Sequence, residues 1–268
     1  MSDAPKAAVR NTARRKKTLA TQARINQVAL VVSIPLFLAL WQWVSVSEVV
    51  NRILFPPPTE VAVALYHSAR DGTLLMDVLM STSRVIVGYG TGALAGITIG
   101  LLTGRYALVS NLLTPIFQLL RPIPPIAFVP IVILWFGLTE LGKYFLVFWG
   151  VFFTVWIATH LGVQKVDPML LRAARSLGTS ERNLLWHVIL PGAVPYIFVG
   201  LRTSVSISFY TLVGAELAGA FAGLAYRIEV AQQNMQTAQV MGGLIMLGII
   251  SAIADRGFNV LSRRIVWW

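Results

Sequence analysis

The residues that could perform chemistry in this chain are few and widely separated. Gly137-Leu-Thr-Glu-Leu-Gly-Lys143 fits the first part of a phosphate-binding loop, but Tyr144 follows where a Ser or Thr would hold magnesium. The three histidines, His67, His160 and His187, lack HExxH or HxxxD spacing, and cysteine is absent. The sequence therefore predicts no catalytic residue, no metal site and no cofactor bound by this chain.

Two ionisable residues lie within strongly apolar runs. Arg121 begins an Arg-Pro-Ile-Pro-Pro segment, and Glu216 lies near the end of a later run. A charge at membrane depth is costly, and it usually marks a solute pathway or an internal ion pair. The predicted pathway residues are Arg121, Pro122, Pro124, Pro125 and Glu216. A kinked structural helix explains the prolines equally well, and an ion pair of Glu216 with Arg121 or Arg202 explains the acid at least as well.

A third candidate is a polar insert at about residues 164–191, between two apolar runs. Asp167 is a good helix N-cap, Pro168 suits the first helical position, and Gly178 suits the end of that helix. The pattern predicts two short helices with an apolar face formed by Leu170, Leu171, Ala174 and Leu177. Such a face could insert into a groove of a soluble partner or rest on the bilayer, and the pattern favours neither.

The composition places these candidates in a membrane protein. Of 268 residues, 56% are hydrophobic and 12% are charged, and the mean hydropathy is +0.70. A soluble chain would carry about twice that charge. Apolar runs of about 20 residues predict an all-α polytopic protein with about six transmembrane helices. The predicted spans lie near residues 27–47, 81–104, 112–136, 144–163, 194–218 and 237–260.

Basic residues are distributed unevenly between the two sides of these spans. The net charge is +11, and the positive residues concentrate in the first 26 residues, in the insert and near the C-terminus. The positive-inside rule places those segments in the cytoplasm. We therefore expect residues 1–26 to form a basic cytoplasmic tail and residues 27–268 to form the transmembrane domain, with both termini cytoplasmic. Because the positive-inside rule accounts for the excess of basic residues, no nucleic-acid partner is expected.

Glycine recurs at every fourth position of the second predicted span, at Gly88, Gly92, Gly96, Gly100 and Gly104. Small residues at this spacing let another helix backbone approach closely in a bilayer. Because four residues overshoot one turn, the stripe is expected to wind around its helix and to suit a tilted crossing or several neighbours. Helix packing is the favoured interpretation, and lining of a permeation path is the alternative.

Four stretches together resemble the permeases of ATP-binding-cassette (ABC) importers, in particular their taurine, aliphatic-sulfonate and nitrate branch. They are Pro56-Pro57-Pro58-Thr59-Glu60, then Leu120-Arg-Pro-Ile-Pro-Pro125 with Ile133-Leu-Trp-Phe-Gly137, then Arg172-Ala-Ala-Arg-Ser-Leu-Gly178, and Val188-Ile-Leu-Pro-Gly-Ala-Val-Pro195. The last two resemble the EAA loop of these permeases. The resemblance runs from about residue 54 to the C-terminus.

The resemblance implies a MetI-like permease fold with cytoplasmic coupling helices in a bacterial inner membrane. Its permease domain would translocate a small anionic solute, sulfonate-, taurine- or nitrate-like, delivered by a periplasmic binding protein. A second copy would complete a homodimer, and two cytoplasmic ATPase subunits would bind the ATP and Mg that this chain does not hold. Each ATPase would grip one EAA loop, at about residues 164–191, and its closure would alternate access across the membrane.

The resemblance also assigns ATPase coupling to particular residues. They are Leu171, Arg172, Ala173, Ala174, Leu177, Gly178, Leu190 and Pro191. Two positions depart from the family pattern. Arg172 stands where the EAA motif usually has Glu, so any ionic contact of that acid must differ or be lost. Ala225 replaces the second glycine of a Gly-Leu-Gly sequence and is expected to narrow an outer turn.

The sequence leaves three alternative functions open. The same importer architecture could serve a neutral heterocyclic nutrient such as a pyrimidine. An intramembrane lipid-modifying enzyme would need a catalytic constellation within the spans, and the sequence contains no recognisable one. A channel or scaffold without an ATPase would leave the insert without a purpose.

Overall fold

The computed structural model describes residues 32–47 and 50–265, which form helices and connecting turns with no strand among them. The chain divides between Val63 and Ala64 into two units. The tail predicted at residues 1–26 lies outside the described residues. The first predicted span is described only in part, as helix α1 (Val32–Val46).

The first unit contains α1 and the loop that enters α2 (Pro58–Arg70), a helix that continues into the second unit. The indole N–H of Trp41 donates to the Pro56 carbonyl at 3.1 Å. The same ring lies 5.9 Å from that of Phe55, measured between centroids. Because consecutive prolines have no backbone N–H, side-chain contacts of this kind hold the loop where a helical ladder cannot form.

The second unit contains all the other helices. In chain order these are α3 (Thr73–Arg105), α4 (Ala107–Leu120), α5 (Val129–Phe136), α6 (Glu140–Gln164), α7 (Pro168–Ser176), α8 (Glu181–Leu184), α9 (Leu190–Leu217), α10 (Leu224–Gln233) and α11 (Thr237–Ile265). A π-helical turn joins α8 to α9 without interruption. Four helices of the described chain are long and apolar enough to cross a membrane, namely α3, α6, the continuous α8–α9 stretch and α11.

The predicted third span, residues 112–136, is sharply bent, as its prolines indicated. α4 and the segment Pro125–Phe136 are bent by 88° relative to each other. The intervening Pro122 and Pro124, with Pro125, remove backbone donors, and each disfavours the helical conformation of the residue before it. The described chain therefore contains four helices long enough to span a membrane and one bent pair in the region of the third predicted span.

The glycine stripe of α3 lies against α6 along its whole length. A Cβ added to Gly96 would lie 2.9 Å from the carbonyl oxygen of Phe152 and from the Cβ of Val155. The α6 side chains that face the five glycines are Val147, Val151, Val155, Thr159 and Val163. Of the two arrangements expected for the stripe, the structure does not show contact with several neighbours, because α6 repeats at the same four-residue period and in the same direction. The ridges of two such helices remain in register as the helices cross.

Helix α6 is the most buried of the four long helices. Its Val147, Val151 and Val155 are fully buried, and they form the main apolar cluster with residues of α9 that include Val205 and Leu212. Burial on two sides, by α3 and by α9, makes α6 the element that positions the polar residues described next.

Candidate functional site

A buried polar network lies at the end of the second unit where α3 and α6 begin. We call it the charge clasp. Its side chains are Asp77, Ser81 and Arg84 of α3, Glu140 and Lys143 of α6, Glu216 of α9 and Arg227 of α10. The three α3 residues share one helical face through their four- and three-residue spacing. The network therefore ties four helices together.

Arg84 is the centre of the charge clasp and is fully buried. Its Nε and Nη2 atoms donate to the two carboxylate oxygens of Glu140 at 2.7 and 2.8 Å. Its Nη1 atom donates to Glu216 at 2.8 Å and to the Ala222 carbonyl at 2.6 Å. A planar guanidinium suits this arrangement because its donors are fixed in a fork. Glu140 also accepts from Lys143 at 2.9 Å.

Glu216 is fully buried and its carboxylate is fully occupied. Besides Arg84, one oxygen accepts from the Ser81 hydroxyl at 2.7 Å. The other accepts from the backbone N–H of Ala225 at 2.8 Å. A carboxylate engaged in this way fixes the start of α10 and leaves no oxygen exposed to a solute.

The predicted partners of Glu216, Arg121 and Arg202, are wrong, because Arg84 occupies that role. Arg202 instead faces Asp255 at 3.7 Å. Sequence reasoning missed Arg84, although an arginine within the predicted span at residues 81–104 was the available signal. Which helix it faces could not be read from the sequence, since its two acidic partners lie far along the chain.

The turn before α10 is the backbone part of the charge clasp. Gly223 adopts a φ of +132°, and its N–H donates to Asp77 at 2.9 Å. A Cβ at this position would overlap the carboxylate of Glu216. Ala225, which departs from the family's glycine, is buried within α10 and contributes only its N–H. The turn tolerates this alanine because it requires no positive φ there.

A second polar site lies halfway along α6, and we call it the mid-bundle cavity. It is open, has a volume of about 390 Å³, and its lining includes Arg121, Pro125, Trp149, Thr154, Ile207 and Tyr210. The structure thus brings Arg121 and Pro125 to the same cavity. It leaves Pro122 and Pro124 at the bend outside the lining, and it places Glu216 in the charge clasp.

The insert between α6 and α9 forms the two short helices that its caps predict. Asp167 accepts a hydrogen bond from the backbone N–H of Met169 at 2.8 Å. Gly178 ends the first helix at a φ of +75°, and no atom lies within 4 Å of a Cβ added there. Ser180 caps α8 by accepting from the backbone N–H of Asn183 at 3.4 Å.

The apolar face predicted for α7 is divided between two directions. Leu171 and Ala174 pack inward against a cluster that contains Val163, Val166 and Leu184, as Leu190 does. Leu170 and Leu177 are exposed, Leu177 to 85%. The expectation that all four share one docking face is therefore wrong, because adjacent residues such as Leu170 and Leu171 lie about 100° apart around a helix.

The remaining coupling candidates lie on the outside of the insert. Arg172, Ala173 and Pro191 are exposed. A contact missed in the sequence holds the insert to the bundle, because Arg105 at the end of α3 forms an ion pair with Glu181 of α8. The insert is therefore anchored on its inner side and free on its outer side.

The phosphate-loop-like segment, residues 137–143, cannot cradle a phosphate. Gly142 and Lys143 are buried within α6, not in a loop. The Lys143 ammonium lies 2.9 Å from Glu140, so its charge is already paired. No group of three or more histidine, cysteine, aspartate or glutamate residues in the described ranges could hold a metal ion.

Comparison with known proteins identifies the family of this chain. Residues 94–267 match the family model described as the binding-protein-dependent transport system inner membrane component. This match and the fold identify the class of the protein as permeases of ABC importers. The chain belongs to the family of binding-protein-dependent transport system inner membrane components.

Curated relatives extend the similarity over most of the chain. The taurine transport system permease protein TauC of Escherichia coli is 34% identical over 91% of this chain and 90% of its own. The putative aliphatic sulfonates transport permease protein SsuC of Bacillus subtilis is 34% identical, covering 86% and 84%. The nitrate import permease protein NrtB of Synechocystis is 30% identical and covers 88% of both.

Solved structures show the same fold. A chain of the inward-facing MetNI methionine ABC transporter aligns with a TM-score of 0.62 at 17% identity, covering 72% of this chain and 96% of its own. A crystal structure of an amino acid ABC transporter with histidines aligns with a TM-score of 0.60 at 17% identity. The MetI-like all-α permease fold is thereby confirmed.

Proposed function

We propose that this permease imports a small anionic solute, sulfonate-, taurine- or nitrate-like, which a periplasmic binding protein delivers. The relatives named for taurine, aliphatic sulfonates and nitrate support an anion over a neutral heterocycle. Arg121 also supports an anionic solute, because it places a positive charge at the mid-bundle cavity.

We further propose that the insert couples the permease to a cytoplasmic ATPase subunit, one for each copy in a homodimer. The ATPase subunits would carry the ATP and Mg. The observation that carries this proposal is the division of the insert into an anchored inner side and an exposed outer side. Movement of the exposed side would be transmitted through Leu171, Ala174 and Leu190 into the bundle, because packed interiors deform little.

The exposed side of the insert offers Leu170, Leu177 and Met169 around a glycine turn. Apolar side chains beside Gly178 suit a shallow groove on a soluble partner. Arg172, exposed on the same helix, replaces the acidic residue of the EAA motif. Any ionic contact at this position would therefore involve an acidic group of the ATPase.

The proposed orientation places the insert, both termini and the basic tail in the cytoplasm, as the distribution of basic residues favours. The charge clasp lies at the opposite end of α6 from the insert, and would then face the periplasm. The binding protein would dock on that side.

Purification of the chain from the membranes of its host tests the coupling proposal. We expect an ATP-hydrolysing subunit to co-purify, and Leu177→Glu and Gly178→Asp to abolish its recovery and the ATPase activity. Met235→Glu is the matched control, since Met235 is 75% exposed and lies in the turn between α10 and α11. Recovery of the ATPase with both insert variants would refute coupling through this segment.

A further inference from the structure

The mid-bundle cavity presents hydrogen-bond donors that no described residue uses. Within residues 32–47 and 50–265, neither the Arg121 guanidinium nor the Tyr210 hydroxyl has a hydrogen-bond or ion-pair partner. The indole N–H of Trp149 is buried and equally unpartnered in that part of the chain. The hydroxyls of Thr154 and Thr211 already donate to carbonyl oxygens of their own helices. No carboxylate of a described residue lines the cavity.

Arg121 is an exposed arginine at a cavity that lies at the depth of the membrane-spanning helices. Trp149 and Thr154 lie in the middle of α6, and Tyr210 lies well inside α9. An arginine at such depth normally pairs with an acid or faces a water-filled path. Irregular backbone at membrane depth is likewise tolerated where it lines a cavity, and Arg121 lies at the 88° bend. Both features indicate that the cavity is wet and accepts a ligand rich in acceptor atoms.

The remaining walls of the cavity are apolar. Phe153, Ile157 and Ile207 form part of the lining, and the volume of about 390 Å³ falls in the range of roughly 300–1,000 Å³ typical of organic ligands. A bare inorganic anion would occupy a small part of this space and leave these walls in contact with water. An anion with a short apolar tail would cover them.

We propose that the mid-bundle cavity is a transit site for a small organic oxyanion during import. The acceptor oxygens of its head bind Arg121 and the Tyr210 hydroxyl, and its tail packs against Phe153, Ile157 and Ile207. Trp149 supplies a further donor to the head. This inference rests on the proposed importer function and deepens it, because it assigns the solute an organic tail and names the residues that contact it.

Ligand-induced stabilisation of the purified permease–ATPase complex in lipid nanodiscs tests the site without the binding protein. The probes are butanesulfonate, methanesulfonate and nitrate at equal ionic strength, with chloride as the reference salt. We expect the melting temperature to rise in the order nitrate, methanesulfonate, butanesulfonate, since a ligand stabilises the state that it binds. Arg121→Gln should abolish the rise and Tyr210→Phe should reduce it. Arg202→Gln, which changes an exposed arginine of α9 outside the cavity, should leave it intact.

Binding-protein-dependent uptake into proteoliposomes supplies the functional readout. At saturating binding protein, Arg121→Gln should lower the maximal uptake rate by about tenfold to hundredfold, the cost of a lost charge-assisted hydrogen bond. Stimulation of ATP hydrolysis by the loaded binding protein should persist, because the insert and the charge clasp are unchanged. Ile207→Trp should weaken stabilisation by butanesulfonate more than by methanesulfonate.

Two results would overturn the transit site while leaving the importer function intact. One is Arg121→Gln retaining wild-type stabilisation and uptake, and the other is nitrate stabilising the complex as strongly as butanesulfonate. If the wild-type complex instead shows no ATP-dependent uptake of taurine or of any of the three anions, the anion-importer function itself fails and the transit site fails with it.

Discussion

Two arginines of this permease occupy opposite environments within the same bundle. Arg84 is fully buried and faces two carboxylates in the charge clasp. Arg121 lies at a helix bend beside an open cavity and has no such partner among the described residues. A buried charge with complete pairing serves structure, because removing one partner leaves the other uncompensated. A charge left without a partner is available to a ligand.

This difference separates the residues that stabilise the fold from the residues that serve transport. The charge clasp holds the N-terminal ends of α3 and α6 to the turn between α9 and α10, so its disruption should lower stability first. Arg121 and Tyr210 at the mid-bundle cavity are exposed and have no partner among the described residues, so substitution of either should affect transport at unchanged stability. Substitutions at the two sites test that separation.

Arg84→Met should give the largest loss of stability, about 3–5 kcal/mol, because it leaves the fully buried Glu216 without its cation. Thermal denaturation of the purified permease would measure the loss. Adding Glu216→Leu should recover part of it, since removing both charges avoids the uncompensated one. Arg52→Met, which breaks an exposed ion pair with Glu60, should cost about 0–1 kcal/mol. Equal stability of Arg84→Met and wild type would show that the charge clasp is not structural.

Gly223→Ala should be the next most damaging change, at about 1–3 kcal/mol. The residue has a φ of +132°, and a Cβ would overlap the Glu216 carboxylate. Gly90→Ala is the control, because nothing lies within 4 Å of a Cβ added there. The same denaturation experiment compares the two variants, and a Gly223→Ala protein as stable as Gly90→Ala would contradict the geometry of the turn.

Glu140→Gln should cost less, about 1 kcal/mol after allowance for solvent screening, because its side chain is 38% exposed. The amide retains the shape of the carboxylate but loses the charge that faces Arg84 and Lys143. Raising the salt concentration should narrow the difference in melting temperature between this variant and the wild type. A loss as large as that of Arg84→Met would mean that Glu140, and not Glu216, carries the charge clasp.

Arg121→Gln should change the free energy of unfolding by no more than about 0.5 kcal/mol, since no described residue pairs with it. The same variant is expected to lose transport, so stability and uptake should separate at this position. A marked loss of stability would place Arg121 in a structural role and remove the contrast with Arg84.

Local patterns in the sequence predicted the local parts of this structure. The caps at Asp167 and Gly178 predicted the two short helices of the insert, and the prolines after Arg121 indicated an interruption. The same patterns did not predict the angle of that interruption. They also did not predict that some leucines of α7 face the bundle and others face outward. Residue spacing shows which side chains share a helical face, but not which element that face contacts.

The charge clasp shows most clearly what could not be predicted from the sequence. Arg84, Glu140 and Glu216 come from three helices, and sequence reasoning paired Glu216 with the wrong arginines. Each charge is visible in the sequence, but their pairing depends on the parallel packing of α3 on α6. That packing follows from glycines facing valines at a shared period.

Hydropathy, capping and motif spacing act over short distances along the chain, so the membrane class, the helical insert and the family can be read from the amino-acid sequence. Which arginine is neutralised and which is available to a ligand follows only from the fold. Burial and pairing depend on side chains brought together from distant helices. Arg84 and Arg121 are the same residue type in similarly apolar stretches of the sequence, but Arg84 is buried beside two acids and Arg121 is exposed with no partner among the described residues.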